Sequence, residues 1–440
     1  GRHRLAGGLQ QSWDVQFLGG LALILNGSTS PAVKATVSPP GNQIPPYTGF
    51  MLLAPLTADL AATRADREEL HRWFHRNPEL SGQEHATSQR ILTELLDAGI
   101  AARRVGATGV LAVVGGGDGP VVAVRADIDA LPVTEASGKE YAATGPVSHA
   151  CGHDVHISSL LGAARYLHRH RDRWSGTFVA VFQPAEETAS GARQMLADGL
   201  AGMMPRPDVY LGQHVLATVP GGHVGTAAGP VLSAGASLRV TVHGRGSHGS
   251  KPEKSVDPVV LAAAIVMRLQ TIVAREIGPR ETAVVTVGAL RAGTKSNVIA
   301  DRAELLLNIR AYDGGVEKHL RSAIERIVRA ECAASASPRE PEFEWYDAYP
   351  LTSNDAAATA RVRAAFDGWF GERATDMEPV SASEDFSVIP DALGVPYCYW
   401  GLGGFADQEA APANHHPAFA PDLQPTLDTG LAAIVVAASA

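Results

Sequence analysis

Cysteine is scarce in this 440-residue chain, with Cys151, Cys332 and Cys398 standing far apart. An odd, widely spaced set does not make a disulfide framework and points to a reducing compartment, with the cytoplasm as the expectation. Charge is sparse as well. Charged residues make up 19% and the net charge is -9, which argues against the concentrated basic patch that a phosphate backbone needs, and no nucleic-acid partner is expected. The early apolar run "FLGGLALILNG" (17–27) is too short to span a bilayer, and no membrane partner is expected. Arg2 and Arg4 precede it as in a secretory signal, but Asp14 interrupts the approach and no small-residue cleavage site follows. Residues 1–56 therefore read as an N-terminal extension, with Met51 as a natural start. The 45% apolar content that remains is that of a globular chain, long enough for two or more domains.

From Thr57 the text becomes regular. Thr57 reads as a helix N-cap, with Asn77-Pro78 as the stop, and Ser81 with Glu84 reads as a capping box for a second helix. The runs "GVLAVVG" and "PVVAVRA", split by "GGDG", predict a β-hairpin or adjacent strands. Helices and strands then alternate to about residue 232, the α/β signature of a mostly parallel sheet with helices on both faces. Between 233 and 349 the pattern changes to alternating strands around two long helices, a small α+β sandwich inserted in the larger domain. The α/β texture resumes from 350 to 440, so 57–232 and 350–440 are expected to form one domain with a cleft at its junction with the insertion, where binding sites preferentially form.

Loops at the carboxyl ends of parallel strands are where α/β proteins place their sites. Four such positions carry metal-competent side chains: Cys151 with His153, Glu186 with Glu187, His214, and His415 with His416. At i,i+2 the first pair would diverge on a regular helix, so a shared target needs them in the loop before the helix, for which Asp154 is a candidate N-cap. A cysteine here could be a core residue, half a disulfide, a nucleophile or a ligand. A lone strand-end histidine is usually structural and paired glutamates usually form a solvated face, but four loops on one sheet edge argue for imidazole, carboxylate and thiolate gathered around Zn(II), Co(II) or Mn(II).

The order of these motifs resembles that of the aminoacylase and carboxypeptidase-type metallopeptidases, in the branch of hippurate, N-acyl-amino-acid and auxin-conjugate amidohydrolases. The likeness spans about Leu70 to Leu423 and rests on "HRWFHRNPELSGQEHAT", "RADIDALPVTE", "SHACGHDVHISSLLGAA", "VFQPAEE", "GRGSHGSKPEKSVDPV", "NVIADRAEL", "SEDFS" and "HHPAF". It implies two divalent metal ions (Mn, Zn or Co) held by Cys151, His153, Glu187, His214 and His415, with Glu186 as general base. It further implies His248 as donor to the oxyanion, and Arg310 with Asn297 as a clamp for the substrate carboxylate. Asp127 and Asp129 become groups that orient the ligands, Asp127 standing where other branches carry a histidine. The implied activity is amide hydrolysis of N-acyl amino acids in a homodimer joined through the inserted domain. A dipeptidase or aminopeptidase of the same superfamily is the alternative, and a non-catalytic binding protein on the same fold a more distant one. Departures at Ser247, Ser250 and Lys251 touch the cleft rim and bear on specificity.

Overall fold

A computed structural model describes residues 51–115 and 117–440. The expectations for the first fifty residues lie outside this range.

The main sheet has eight strands, in the spatial order Ala101–Val105, Gly109–Gly115, Thr177–Gln183, Val121–Asp127, Val209–Pro220, Tyr397–Phe405, Val224–Thr226 and Ala374–Asp376. Its centre is parallel: Thr177–Gln183, Val121–Asp127, Val209–Pro220 and Tyr397–Phe405 run the same way. These strands read as near-continuous apolar runs because helices bury both of their faces. The helices Arg64–Arg76, His153–Arg169, Ala356–Phe370 and Leu423–Ala438 cover one face with a core that includes Leu160, Phe366 and Leu431. The short helices Gly191–Ala197 and Val388–Leu393 cover the other with a core that includes Met195, Phe386 and Tyr399.

A second, four-stranded antiparallel sheet has the order Ala283–Ala292, Arg302–Ala311, Ala234–His243, Glu342–Tyr349. Arg302–Ala311 alternates buried and half-buried side chains, as a strand with one covered face must. The helices Pro258–Glu276 and Gly314–Ala334 supply the cover, burying Ile265, Leu269, Leu320 and Ile324 in a core of this sheet's own. Pro258–Glu276 is long and apolar enough to cross a membrane by composition, but its Leu261–Ile265–Leu269–Ile272 face packs on this sheet.

Three local expectations give way to tertiary structure. The strands 109–115 and 121–127 do not pair, because Thr177–Gln183 lies between them. The buried helix His153–Arg169 provides the crossover that lets the later strand enter in parallel. Thr57 lies inside the helix Leu56–Ala62, whose N-cap is Pro55. Ser81 and Glu84 form no capping box: Ser81 Oγ donates to Asp129 Oδ2 at 2.6 Å, while Glu84 is fully buried and accepts from the N–H groups of Gly82 and Ala185.

Candidate metal centre and cleft

The chain leaving strand 121–127 passes Asp129 and returns through the turn before helix His153–Arg169. Gly152 in that turn has φ +80°, and a Cβ there would stand 2.4 Å from Val215 Cγ1, so the turn needs glycine. Cys151 thus precedes the helix, capped by Gly152 rather than Asp154, and His153 opens its first turn. The chain leaving Thr177–Gln183 makes a tight turn with Ala185 at φ +49° and Ala189 at φ +53°. A Cβ on Gly191 would stand 1.5 Å from Pro184 O, and the Glu84 carboxylate anchors Ala185 N at 2.8 Å. Glu186 and Glu187 project from this constrained turn. His214 does not end its strand as expected; pairing with Tyr397–Phe405 continues beyond it to Pro220. His415 sits in the loop after Tyr397–Phe405 with φ +71°, its N–H bonded to Ala150 O at 2.7 Å.

These residues meet. The donor atoms of Cys151, His153 and His214 all lie within 4.8 Å of one another, as do those of Cys151, Glu187 and His415. The sulfur belongs to both groups. Cys151 Sγ is 3.5 Å from His214 Nε2, Glu187 Oε1 is 3.8 Å from His153 Nε2, and Glu187 Oε2 is 3.4 Å from His415 Nε2. His153 Nδ1 lies 2.9 Å from Asp129 O and His214 Nδ1 lies 2.8 Å from Val215 O. A carbonyl can only accept, so each Nδ1 carries its proton, which leaves Nε2 as the ring atom that would face a metal.

The donor set fits divalent metal ions. His153 Nε2 and Glu187 Oε1 are buried without a hydrogen-bond partner, which is costly unless something else binds there. One thiolate, three imidazoles and a carboxylate suit a borderline cation. Hydrogen bonds to the Cys151 sulfur and the Glu187 carboxylate raise His415 to about 10 against the effect of burial. Surroundings that hold a proton this firmly favour any cation, and metal entry would displace that proton.

A buried layer of charge supports the set. Asp129 accepts from Ser81 Oγ and from Glu187 N at 3.0 Å while its carbonyl holds His153, so one residue fixes two of the candidate ligands. Asp127 takes His156 Nδ1 on one oxygen and Arg125 Nη1 at 2.7 Å on the other, with His153 Nε2 3.5 Å away. Burial raises the Asp127 carboxyl, but Arg125, His153 and His156 outweigh it and hold the group well below the ordinary carboxylate range. Arg125, 1% exposed, also binds Glu384 at 2.8 Å and Asp385 at 3.2 Å.

Glu186 is 5% exposed and takes no part in either donor group named above. Burial first, then the charges of Glu384, Glu187 and Asp385, raise its carboxyl well above the usual range. Tyr349 Oη, from the second sheet, donates to its backbone carbonyl at 3.3 Å. Glu186, Glu187, Cys151, His214, His415 and Arg310 line one cavity of about 810 Å³. Arg310 Nη1 donates to Ser381 O and Ser383 Oγ at 2.7 and 3.0 Å. His248 and Asn297 are elsewhere. Both are exposed and adjoin one another on the short ribbon of Ser247–His248 with Val298–Ile299, outside this cavity. The sequence pairs Asn297 with Arg310 as one clamp, yet within a single chain they are apart. His416 is exposed, and its Nδ1 accepts from Ala418 N.

Sequence reasoning missed Glu84, Arg125 and the buried group His75–Asp154–Glu135. His75 Nδ1 is 2.6 Å from Asp154 Oδ2 and its Nε2 is 3.0 Å from Glu135 Oε1. Asp154 therefore neutralises a buried imidazole rather than capping the helix. The available signal was each charged residue's place in an otherwise apolar stretch, as with Arg125 in "VVAVRAD".

A parallel-sheet edge presenting sulfur, nitrogen and oxygen donors around a separate buried carboxyl is the construction of a metal-dependent hydrolase. The chain belongs to peptidase family M20/M25/M40, whose description matches residues 123–438. It is 34% identical over 357 residues to the N-acetyl-L-cysteine deacetylase of Bacillus subtilis, covering 80% of this chain and 83% of that one. It is likewise 34% identical over 360 residues to the IAA-amino acid hydrolase ILR1-like 2 of Arabidopsis thaliana, covering 79% of each. The crystal structure of Bacillus subtilis YXEP, described as a dinuclear metal binding peptidase from the M20 family, superposes with a TM-score of 0.72 at 29% identity. That likeness covers 86% of this chain and 98% of the other.

Proposed function

We propose that this enzyme hydrolyses the amide bond of N-acyl amino acids bearing a free carboxylate. The observation that carries the reading is one cleft lined by Cys151, Glu187, His214 and His415 of the donor set, by the carboxyl of Glu186 and by the guanidinium of Arg310. The names of two relatives, a deacetylase of an N-acetylated amino acid and a hydrolase of an amino-acid conjugate, support the same substrate class.

Two divalent ions of Mn, Zn or Co, held by Cys151, His153, Glu187, His214 and His415, would supply a Lewis acid and bring the pKa of water toward 7. Glu186 takes the proton from the attacking water and delivers it to the departing nitrogen, one carboxyl serving both steps. Its burial and the three carboxylates around it suit this role, since they make the protonated form easy to reach. Asp129 and Asp127 keep His153 oriented throughout. Arg310 binds the substrate carboxylate; among the described residues only its Nη1 has a partner, which leaves Nε and Nη2 for a planar, bidentate contact.

Residues 233–349 serve as lid and dimerisation domain in this reading. Val260, Met267, Val284, Leu290 and Val298 are exposed on this part of the chain, an apolar surface that a second copy would cover. In the homodimer His248, together with Asn297, enters the neighbouring cleft, where the imidazole donates to the tetrahedral oxyanion, a contribution of about 3–4 kcal/mol.

The test is hydrolysis of benzoyl- and acetyl-amino acids against free-amine dipeptides, with Mn(II), Zn(II) and Co(II) each added back. At least a tenfold preference for the acylated compounds is expected. The opposite preference would make the enzyme a dipeptidase.

A further inference from the structure

We infer that Asn414 is a positioning residue of the candidate metal centre, and that its amide N–H on the Cys151 sulfur turns the centre away from thiophilic ions and toward Mn(II). Both roles rest on the reading of Cys151 as a metal ligand, and neither depends on the choice of substrate.

One side chain touches the supports of three candidate ligands. Asn414 Nδ2 is 3.2 Å from Val215 O, 3.4 Å from Cys151 O and 3.7 Å from Cys151 Sγ, sulfur's larger radius making the last a hydrogen-bond distance. Val215 O is the carbonyl that also accepts from His214 Nδ1 at 2.8 Å, and its two lone pairs serve both donors. The next residue along the chain is His415, whose own N–H is bonded to Ala150 O at 2.7 Å. Asn414 and His415 therefore tie the loop after strand Tyr397–Phe405 to the turn before helix His153–Arg169 and to the strand that carries His214. These segments are distant in sequence, with 263 positions between Asn414 and Cys151 and 199 between Asn414 and Val215. Asn414 is half-buried and lines the same cavity as Cys151, His214 and His415.

The amide can face only one way. Two of its neighbours are carbonyl oxygens, which accept and never donate, so Nδ2 rather than Oδ1 must lie against them. That orientation turns an N–H toward the sulfur. Cys151 Sγ is the donor common to both groups, so whatever acts on it acts on both. A hydrogen bond draws electron density from a thiolate and makes it a less polarisable ligand. Soft thiolate favours Zn(II), whereas carboxylate oxygen suits Mn(II), so a muted sulfur tilts the set toward manganese.

The experiment compares the parent protein with Asn414→Leu, which keeps the shape and loses both N–H groups. Asn414→Ala serves the same purpose if the leucine variant does not fold. Equilibrium dialysis gives Kd for Mn(II) and for Zn(II), and the Co(II)-loaded protein reports on the sulfur through its thiolate-to-cobalt charge-transfer band. Mn(II) is expected to bind about 10- to 100-fold more weakly in the variants, the range for groups that support a ligand. Zn(II) should lose less, because the sulfur gains donor strength as it loses its partner, and the Mn-to-Zn preference should fall by about tenfold. The cobalt band should move to longer wavelength, since a bare thiolate gives up electron density more readily. Equal change for both metals, or a band that does not move, means that Asn414 only braces the loop and overturns the assignment. A parent Co(II) protein without a sulfur band removes Cys151 from the centre and the role of Asn414 with it, whichever acyl-amino acids the enzyme hydrolyses.

Discussion

Replacing Glu186 with glutamine isolates proton transfer from everything else the cleft does. The change keeps side-chain size and removes one negative charge from a position already crowded by Glu384, Glu187 and Asp385. Relief of that repulsion means the fold should not suffer, and the apparent unfolding temperature is expected to stay level or rise. The donor groups Cys151–His153–His214 and Cys151–Glu187–His415 do not include Glu186, so bound metal should persist. Catalysis should not. A positioned general base contributes about 10²–10⁴-fold, and a thousandfold loss corresponds to about 4 kcal/mol of transition-state stabilisation. The expected result is kcat lower by about three orders of magnitude on N-benzoylglycine, KM changed only slightly, and metal content unchanged by elemental analysis. Turnover within tenfold of the parent enzyme, with metal retained, would refute Glu186 as the base. Loss of metal along with activity would instead place Glu186 among the ligands.

Two other outcomes follow from the same geometry. Cys151→Ser should weaken metal binding by more than about 100-fold, beyond the usual effect of a supporting residue, because the sulfur belongs to both donor groups; equilibrium dialysis that still finds two tightly held ions per chain would remove the thiolate from the centre. Stability should fall as pH rises through 9. Burial opposes a charge on His75, but Asp154 and Glu135 outweigh it and raise the group from 6.5 to about 9. With the folded value above the unfolded one, its stabilisation is complete below about pH 6.5 and lost as pH climbs through 9, up to about 3 kcal/mol. Urea unfolding at pH 6 and pH 9.5 measures this, and a His75→Gln variant with the same pH slope would sink the argument.

Much of the candidate site could be read in the linear text because most of its metal-competent side chains, His214 excepted, lie in loops that follow strands, where short-range signals are strong. "SHACGHD", "QPAEE" and "NHHPAF" each follow an apolar strand-length run, and one sheet edge collects them. The alternation in "RAELLLNIRAY" likewise announces a strand with one covered face, and the structure pairs it on both sides. Strand order was not legible in the same way. Nothing local says that Thr177–Gln183 separates two runs that look like a hairpin, because the cause is the burial of helix His153–Arg169 as a crossover.

The sequence by itself determined the element types, the edge on which the metal-competent side chains gather and the family likeness, because periodicity and motif spacing are properties of neighbouring residues. Tertiary structure alone decided which charges are neutralised and by what. Arg125 meets Glu384 259 positions away, Glu84 anchors the turn before Glu186 from 101 positions away, and His248 lies outside the cleft of its own chain. The physical reason is that a buried charge is tolerated only beside a partner, and which partner is within reach is settled by how the sheets and helices pack.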